Sequence, residues 1–140
     1  MQYLKSVGLS MGLTLAIFGC GGDDGPNLYD VNIDVTLDGK PVPTGDITFV
    51  ATAAGEKPYA GKIVDGKSTF QSEAGNKRVE ISSMQVVPGK QVAGGTPGDN
   101  VPGEAIEEQI PEKYNRNTTL TAEVKAGGDN TFTFDLKTAE

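Results

Sequence analysis

From Tyr29 onward the apolar residues fall on every second position. Val31, Ile33, Val35 and Leu37 alternate with Asn32, Asp34 and Thr36. Successive side chains of a strand point to opposite faces, so this spacing builds one dry face and one wet one. The period returns at Ile47, Phe49 and Ala51, again on both sides of Asp65-Gly66 (residues 59–64 and 67–72), and at Val79 and Ile81. It appears twice more, in Leu120, Ala122 and Val124 and in Phe132, Phe134 and Leu136. Asp-Gly between two alternating runs is a strong signal for a two-residue hairpin, whose central residues must adopt positive φ. Asp38-Gly39, 55–58 and Gly127-Gly128-Asp129-Asn130 supply the other breaks.

About seven short strands with turns between them, and no sustained helical period, argue for an all-β fold: a seven-stranded antiparallel β-sandwich over residues 29–138. The expected inward set is Val31, Ile33, Val35, Leu37, Ile47, Phe49, Ile63, Phe70, Val79, Ile81, Leu120, Val124, Phe132, Phe134 and Leu136. Pro41 and Pro43 keep their stretch out of a central strand. Within 78–87 the alternation slips by one residue at Met84 and Val86, which predicts a bulge or bend. Residues 88–117, with five glycines and four prolines, read as one long irregular loop. Within it, 104–110 is expected to form a helical turn or two, with Ile106 and Ile110 on one face and Pro111 ending it.

The N-terminal end is organised differently. One positive side chain, Lys5, precedes twelve uncharged residues, Val7 to Phe18. As a helix they would span about 18 Å, too short for a bilayer core of ~30 Å. Length and flanks match the apolar stretch of a secretory signal peptide covering 1–19. The stretch ends in Ile17-Phe18-Gly19-Cys20, which resembles the bacterial lipobox, although Phe18 is bulkier than the usual second-position residue. By that resemblance Cys20 receives a diacylglyceryl group on sulfur and becomes an acylated N-terminus. Two or more acyl chains hold stably in a membrane, where one holds only marginally. Loss of 1–19, with Lys5 their only charge, takes the 140-residue chain to 121 residues and its net charge from −7 to −8. Residues 20–28, the lipidated Cys and Gly-Gly-Asp-Asp-Gly-Pro-Asn-Leu, read as a flexible tether. Gly21 after the Cys resembles the signal of Gram-negative lipoproteins sent on to the outer membrane.

Composition narrows the chemistry. There are 19 Asp plus Glu against 12 Lys plus Arg, one Cys and no His. That excludes imidazole triads, Cys/His zinc centres and an intrachain disulfide. It also argues against a nucleic-acid partner, which calls for a basic face. Carboxylates are the only catalytic raw material. Glu104 and Glu108 share a face if 104–110 is helical, but a solvated charged face is the common meaning of that. No spaced calcium loop appears, although the acidic turns Asp99-Asn100 and Asp129-Asn130 are candidates for one ion. No cofactor is implied. Tyr59 and Tyr114 are candidates for a patch contacting a glycan or protein. The simpler role for Tyr114 is to pin the long loop to the sandwich.

Lys40-Pro41-Val42-Pro43-Thr44-Gly45, Ile47-Thr48-Phe49-Val50, 61–70, the Val79/Ile81 strand, 110–115 and 130–136 together resemble small lipoproteins abundant in planctomycete bacteria. Their body is similar to the carboxypeptidase regulatory-like domain, an Ig-like, prealbumin-like (transthyretin-like) seven-stranded sandwich. The resemblance gives Asp65, Gly66 and Phe70 structural roles and implies no catalytic residues. The expected function is a lipid-anchored, extracytoplasmic, non-catalytic module in the cell envelope. It would be attached to the membrane through Cys20 and act on an envelope protein or glycan. The alternative is a ligand-binding module using 88–117 for a glycan, a peptide or calcium.

Overall fold

The computed structural model describes residues 25–92 and 103–139. The signal-peptide reading of 1–19, the lipobox residues Ile17, Phe18 and Gly19, and Cys20 itself lie outside the described residues. Among the described residues ten strands form: β1 Leu28–Leu37, β2 Lys40–Pro41, β3 Thr44–Ala51, β4 Tyr59–Val64, β5 Lys67–Glu73, β6 Gly75–Ser82, β7 Met84–Val92, β8 Gly103–Glu108, β9 Thr121–Val124 and β10 Thr131–Leu136. Seven of them lie side by side in the order β10-β1-β5-β4-β3-β6-β9, with short β2 added on β1. Every pair is antiparallel except β1 with β10, which run parallel in the register Val35↔Phe134. β7 and β8 form a separate two-stranded sheet.

The path of seven strands curls over at the β4–β5 hairpin. Asp65 (φ 50°) and Gly66 (φ 77°) make the tight turn there, and the two strands share a single register pair, Val64↔Lys67. Beyond it β10-β1-β5 forms one layer and β4-β3-β6-β9 the other, giving a sandwich-like all-β body. Phe49 of β3 spans the interior. Its ring stands edge-on to Phe70 of β5 at 5.1 Å and to Phe132 of β10 at 5.9 Å. The inward set anticipated from alternation is inward. Eleven of the fifteen are buried, and Leu37, Phe70, Leu120 and Phe132 are half-buried against them. Val42, Ile110 and Ala122 complete the cluster.

The register gives the body two ends. Leu28, Ala51 and the start of β6 lie at the end where the chain enters. Leu37, Thr44, Ser82 and Leu136 lie at the far end.

Three readings need correction. The described residues form ten strands, not seven, and the sandwich is not wholly antiparallel, because β10 runs parallel to β1. The parity slip at Met84 is the point where the chain leaves one sheet for another. Buried Ser83 sits at the corner, its Oγ donating to the Thr44 carbonyl at 2.6 Å and its N–H to Glu108 Oε1 at 2.7 Å. The stretch 88–117 is not one loop. β7 continues through Pro88 to Val92, with a register irregularity between Val87 and Gln91, and β8 returns antiparallel to it. Residues 104–108 are therefore strand, not helix. A helix of one or two turns leaves most of its terminal N–H and C=O groups without intrahelical partners, whereas pairing with β7 supplies a ladder. Pro88, which has no N–H to give, falls inside the irregularity, where a donor is not needed. A 3-10 turn, Glu112–Tyr114, follows. Residues 93–102 lie outside the described residues.

Candidate functional site

Tyr59 and Tyr114 do not form one patch. Tyr59 opens β4 at the entry end, opposite Phe49 in register. Burial first, and then the carboxylate of Glu73 that its hydroxyl meets, with Glu56 beyond, hold its phenol above the ordinary value of 10. Tyr114 lies at the far end. It packs against the core, and its hydroxyl accepts the Lys137 N–H at 3.2 Å. Lys113 Nζ stands 5.2 Å from its ring centre. Tyr114 thus ties the 3-10 turn to the end of β10, the pinning role expected of it.

The entry end carries a polar cluster that alternation alone could not announce. Lys77 occupies an inward position on β6 and is fully buried. Its ammonium meets Glu56 Oε2 at 2.8 Å, and Glu56 comes from the β3–β4 connection. The pair closes that connection over the end of the sandwich.

The far end carries concave surface. The base of the β7–β8 hairpin divides it into two clefts that share Ile110. One, of about 300 Å³, is lined by Leu37, Pro41, Val42, Ser83, Gln85 and Gln109 among others. The second, of about 430 Å³, has Met84, Ile110 and Pro111 for apolar floor and Glu108, Glu112 and Arg116 for walls. Glu108 is the keystone between strand and 3-10 turn. Its Oε1 accepts the N–H groups of Ser83 (2.7 Å) and Ile110 (2.9 Å), and its Oε2 accepts Asn115 Nδ2 at 3.4 Å. A carboxylate so engaged positions backbone. Clefts of this size, with a few polar groups over an apolar floor, suit side chains of a ligand.

No family model, curated protein or solved structure matches this chain.

Among the described residues no three His, Cys, Asp or Glu side chains cluster in a way that could hold a metal ion. The acidic turn at Asp129-Asn130 is built for another purpose. Asn130 is buried, with its side-chain oxygen accepting the Lys125 N–H at 2.8 Å and its amide donating to the Lys125 carbonyl at 3.0 Å. Asp99-Asn100 lies outside the described residues.

Three residues of the far-end surface escape a reading by alternation. Met84, Val86 and Ile106 are large, apolar and exposed, at 57, 47 and 60%. Their signal is an alternation of reversed sense. In 104–108 the small Ala105 faces in and is buried while Ile106 faces out.

Proposed function

We propose that this chain is a lipid-anchored, extracytoplasmic, non-catalytic β-sandwich that serves an interaction or structural role in a bacterial cell envelope. The observation that carries the reading is Ile17-Phe18-Gly19-Cys20 at the end of an uncharged stretch, with the only Cys of the chain at the position a lipobox gives it. A thiol is required there because the thiolate is the nucleophile that takes up the lipid. Cys20 stands eight residues before Leu28, where β1 begins. Fully extended, such a tether reaches at most ~29 Å at ~3.6 Å per residue. The acidic body is repelled by anionic head groups, so the acyl chains, not surface charge, would hold it. Outer-membrane delivery is the destination that Gly21 suggests. A non-catalytic role fits the far-end carboxylate Glu108, which is committed to backbone donors.

The second reading, a ligand-binding module using 88–117, is favoured by the two clefts at the hairpin base. A peptide suits apolar floors better than a bare cation does.

Membrane fractionation tests the anchor. Cys20→Ser is expected to leave the domain folded and release it to the soluble fraction, and mass spectrometry of the native protein is expected to find Cys20 acylated. A variant that still sediments with membranes, or a native chain with a bare thiol at Cys20, overturns the anchor.

A further inference from the structure

Ser83, buried at the corner between β6 and β7, holds two glutamines in place. Its Oγ donates to the Thr44 carbonyl and accepts Gln85 Nε2 at 2.9 Å, and its carbonyl accepts the Gln109 N–H at 2.8 Å. Gln109 Nε2 in turn donates to the Glu107 carbonyl at 3.3 Å. Both side chains are half-buried, and both line the cleft of about 300 Å³. A primary amide has two N–H donors and a carbonyl acceptor. Each glutamine therefore keeps one N–H and its carbonyl without a partner among the described residues, while the bond made by its other N–H fixes its direction.

Leu37, Pro41, Val42 and Ile110 supply the apolar part of the lining, and Val42 and Ile110 belong to the core. The charged residues of the lining are Lys40 and Asp38. Lys40 is exposed and has no ion-pair partner among the described residues. Asp38 is already engaged. Its two oxygens accept the Thr138 hydroxyl and N–H, and the charges acting on it are the cations Lys137 and Lys113. The other charges at the hairpin base are spent or lie elsewhere. Glu107 pairs with Lys90, Glu108 is taken by backbone donors, and Glu112 and Arg116 line the neighbouring cleft. This cleft thus offers a ligand one ammonium, two fixed amides and an apolar floor.

We propose that the cleft between β2 and the base of the β7–β8 hairpin binds the C-terminal end of a peptide chain that finishes in an aliphatic residue. The terminal carboxylate would meet the Lys40 ammonium. The last peptide bond would give its N–H to a glutamine carbonyl and take a glutamine N–H on its own carbonyl. The aliphatic side chain would lie on Leu37, Val42 and Ile110. Capture of a free chain end is a recurring mode of peptide recognition, and a small apolar cleft with a few fixed polar groups suits it. A free fatty carboxylate would use Lys40 and the floor but leave both amides idle. The proposal deepens the ligand-binding reading given second above and rests on it. The binding itself needs no lipid anchor.

The test is fluorescence anisotropy on the purified full-length protein. The probe is Ser-Gly-Ser-Val-Leu labelled at its amino terminus, with a free C-terminal carboxylate, and its counterpart is the same peptide capped as the C-terminal amide. The acid peptide is expected to bind saturably, the amide peptide at least fivefold more weakly, and an acid peptide ending in Asp in place of Leu at least tenfold more weakly. Lys40→Gln is expected to bring the acid peptide down to the affinity of the amide peptide and leave the latter unchanged. Gln85→Ala and Gln109→Ala are expected to weaken both peptides alike, at least threefold. Val86→Ser, next to Gln85 in sequence but on the opposite face of β7, serves as the control that leaves binding unchanged. Circular dichroism and melting report that each variant is folded, and Lys40, being exposed, carries the test if a glutamine variant is not. Acid and amide peptides that bind alike, or a Lys40→Gln protein that still prefers the acid, overturn recognition of the chain end while keeping a peptide in the cleft. Hexanoate that displaces the acid peptide at equal affinity makes a small free carboxylate the ligand and overturns the proposal. Failure of every peptide to bind overturns both the proposal and the reading it rests on. A bare thiol at Cys20 overturns the anchor and leaves this experiment standing.

Discussion

Lys77 takes a core position that the strand pattern assigns to an aliphatic residue. Its methylenes can fill that space, but its ammonium is fully buried and has to be met, and Glu56 meets it at 2.8 Å. A buried charge left alone is costly, while replacing it with an apolar group of similar volume is often neutral or stabilising. Glu56→Ala is therefore expected to destabilise the fold by about 1.5–3 kcal/mol, the range for hydrogen bonds to charged groups. The lower part of that range is favoured because the Glu56 side chain is 35% exposed and water can substitute for it. Lys77→Met should cost less than Glu56→Ala, and Glu56→Ala should cost almost nothing in the Lys77→Met background. Urea denaturation of the four proteins checks this, and a Glu56→Ala midpoint equal to wild type refutes it. Asp38 gives a pH-dependent counterpart at the far end. The Thr138 hydroxyl donates to its Oδ2 at 2.6 Å and the Thr138 N–H to its Oδ1 at 3.1 Å, and these bonds, the hydroxyl first, hold the carboxyl below its ordinary 3.8. A depressed folded value means that the tie is present above pH 3.8 and is lost as pH falls through the lower folded value. Carbon-detected titration is expected to show Asp38 titrating late on acidification, with Thr138→Ala returning it toward 3.8.

At the scale of elements, both Asp-Gly turns combine a left-handed aspartate with a left-handed glycine, φ 51° and 79° at Asp38-Gly39 and φ 50° and 77° at Asp65-Gly66. Only the second is enclosed. A Cβ on Gly66 would lie 2.7 Å from Pro41 Cβ and 3.0 Å from the Val35 carbonyl oxygen, whereas one on Gly39 meets nothing within 4 Å. The Gly66 N–H also donates to the Val42 carbonyl at 2.7 Å and its carbonyl accepts the Val35 N–H at 2.7 Å. Gly39→Ala should cost about 1–2 kcal/mol, the left-handed penalty alone. Gly66→Ala should cost that plus ~1–3 kcal/mol of overpacking. Equal losses in thermal melts would show that β2 does not clamp the turn. These strands and turns were legible because their information is local: a period of two, and residue types that tolerate positive φ. The hairpin in 84–108 was not legible. Its strand character comes from pairing between segments separated by ten or more residues, and Glu-rich 104–108 has local helix propensity that this pairing overrides. Gly and Pro in 88–103 signalled irregularity, and the register break between Val87 and Gln91 is the part of that signal the structure keeps. Of the candidate site residues, Tyr114 was readable as a pin. That Tyr59 sits at the other end follows only from topology.

On the scale of the whole molecule, the body is closed by its first and last long strands. β10 lies parallel to β1, Asn32↔Thr131 through Leu37↔Leu136, so pairing joins segments about a hundred residues apart in a chain of 140. The same strand contributes Phe132, edge-on to Phe49, and buried Phe134 and Leu136, and its end receives Tyr114 and Asp38. Closure and core formation are thus one event, and the chain should unfold cooperatively with β10 included. Non-local pairing of this kind places refolding in the millisecond-to-second range typical of β-sandwiches. Phe134→Ala removes a buried ring from the closing strand and is expected to cost ~3–5 kcal/mol. Because β10 belongs to the same cooperative unit as β3 and β6, the loss should appear equally in far-ultraviolet circular dichroism and in tyrosine fluorescence measured in a background in which Tyr3, Tyr29 and Tyr114 are Phe, so that Tyr59 at the entry end alone reports. Two separated transitions would mean that β10 can detach while the β4-β3-β6-β9 layer persists, and an unchanged melting curve would remove β10 from the core altogether.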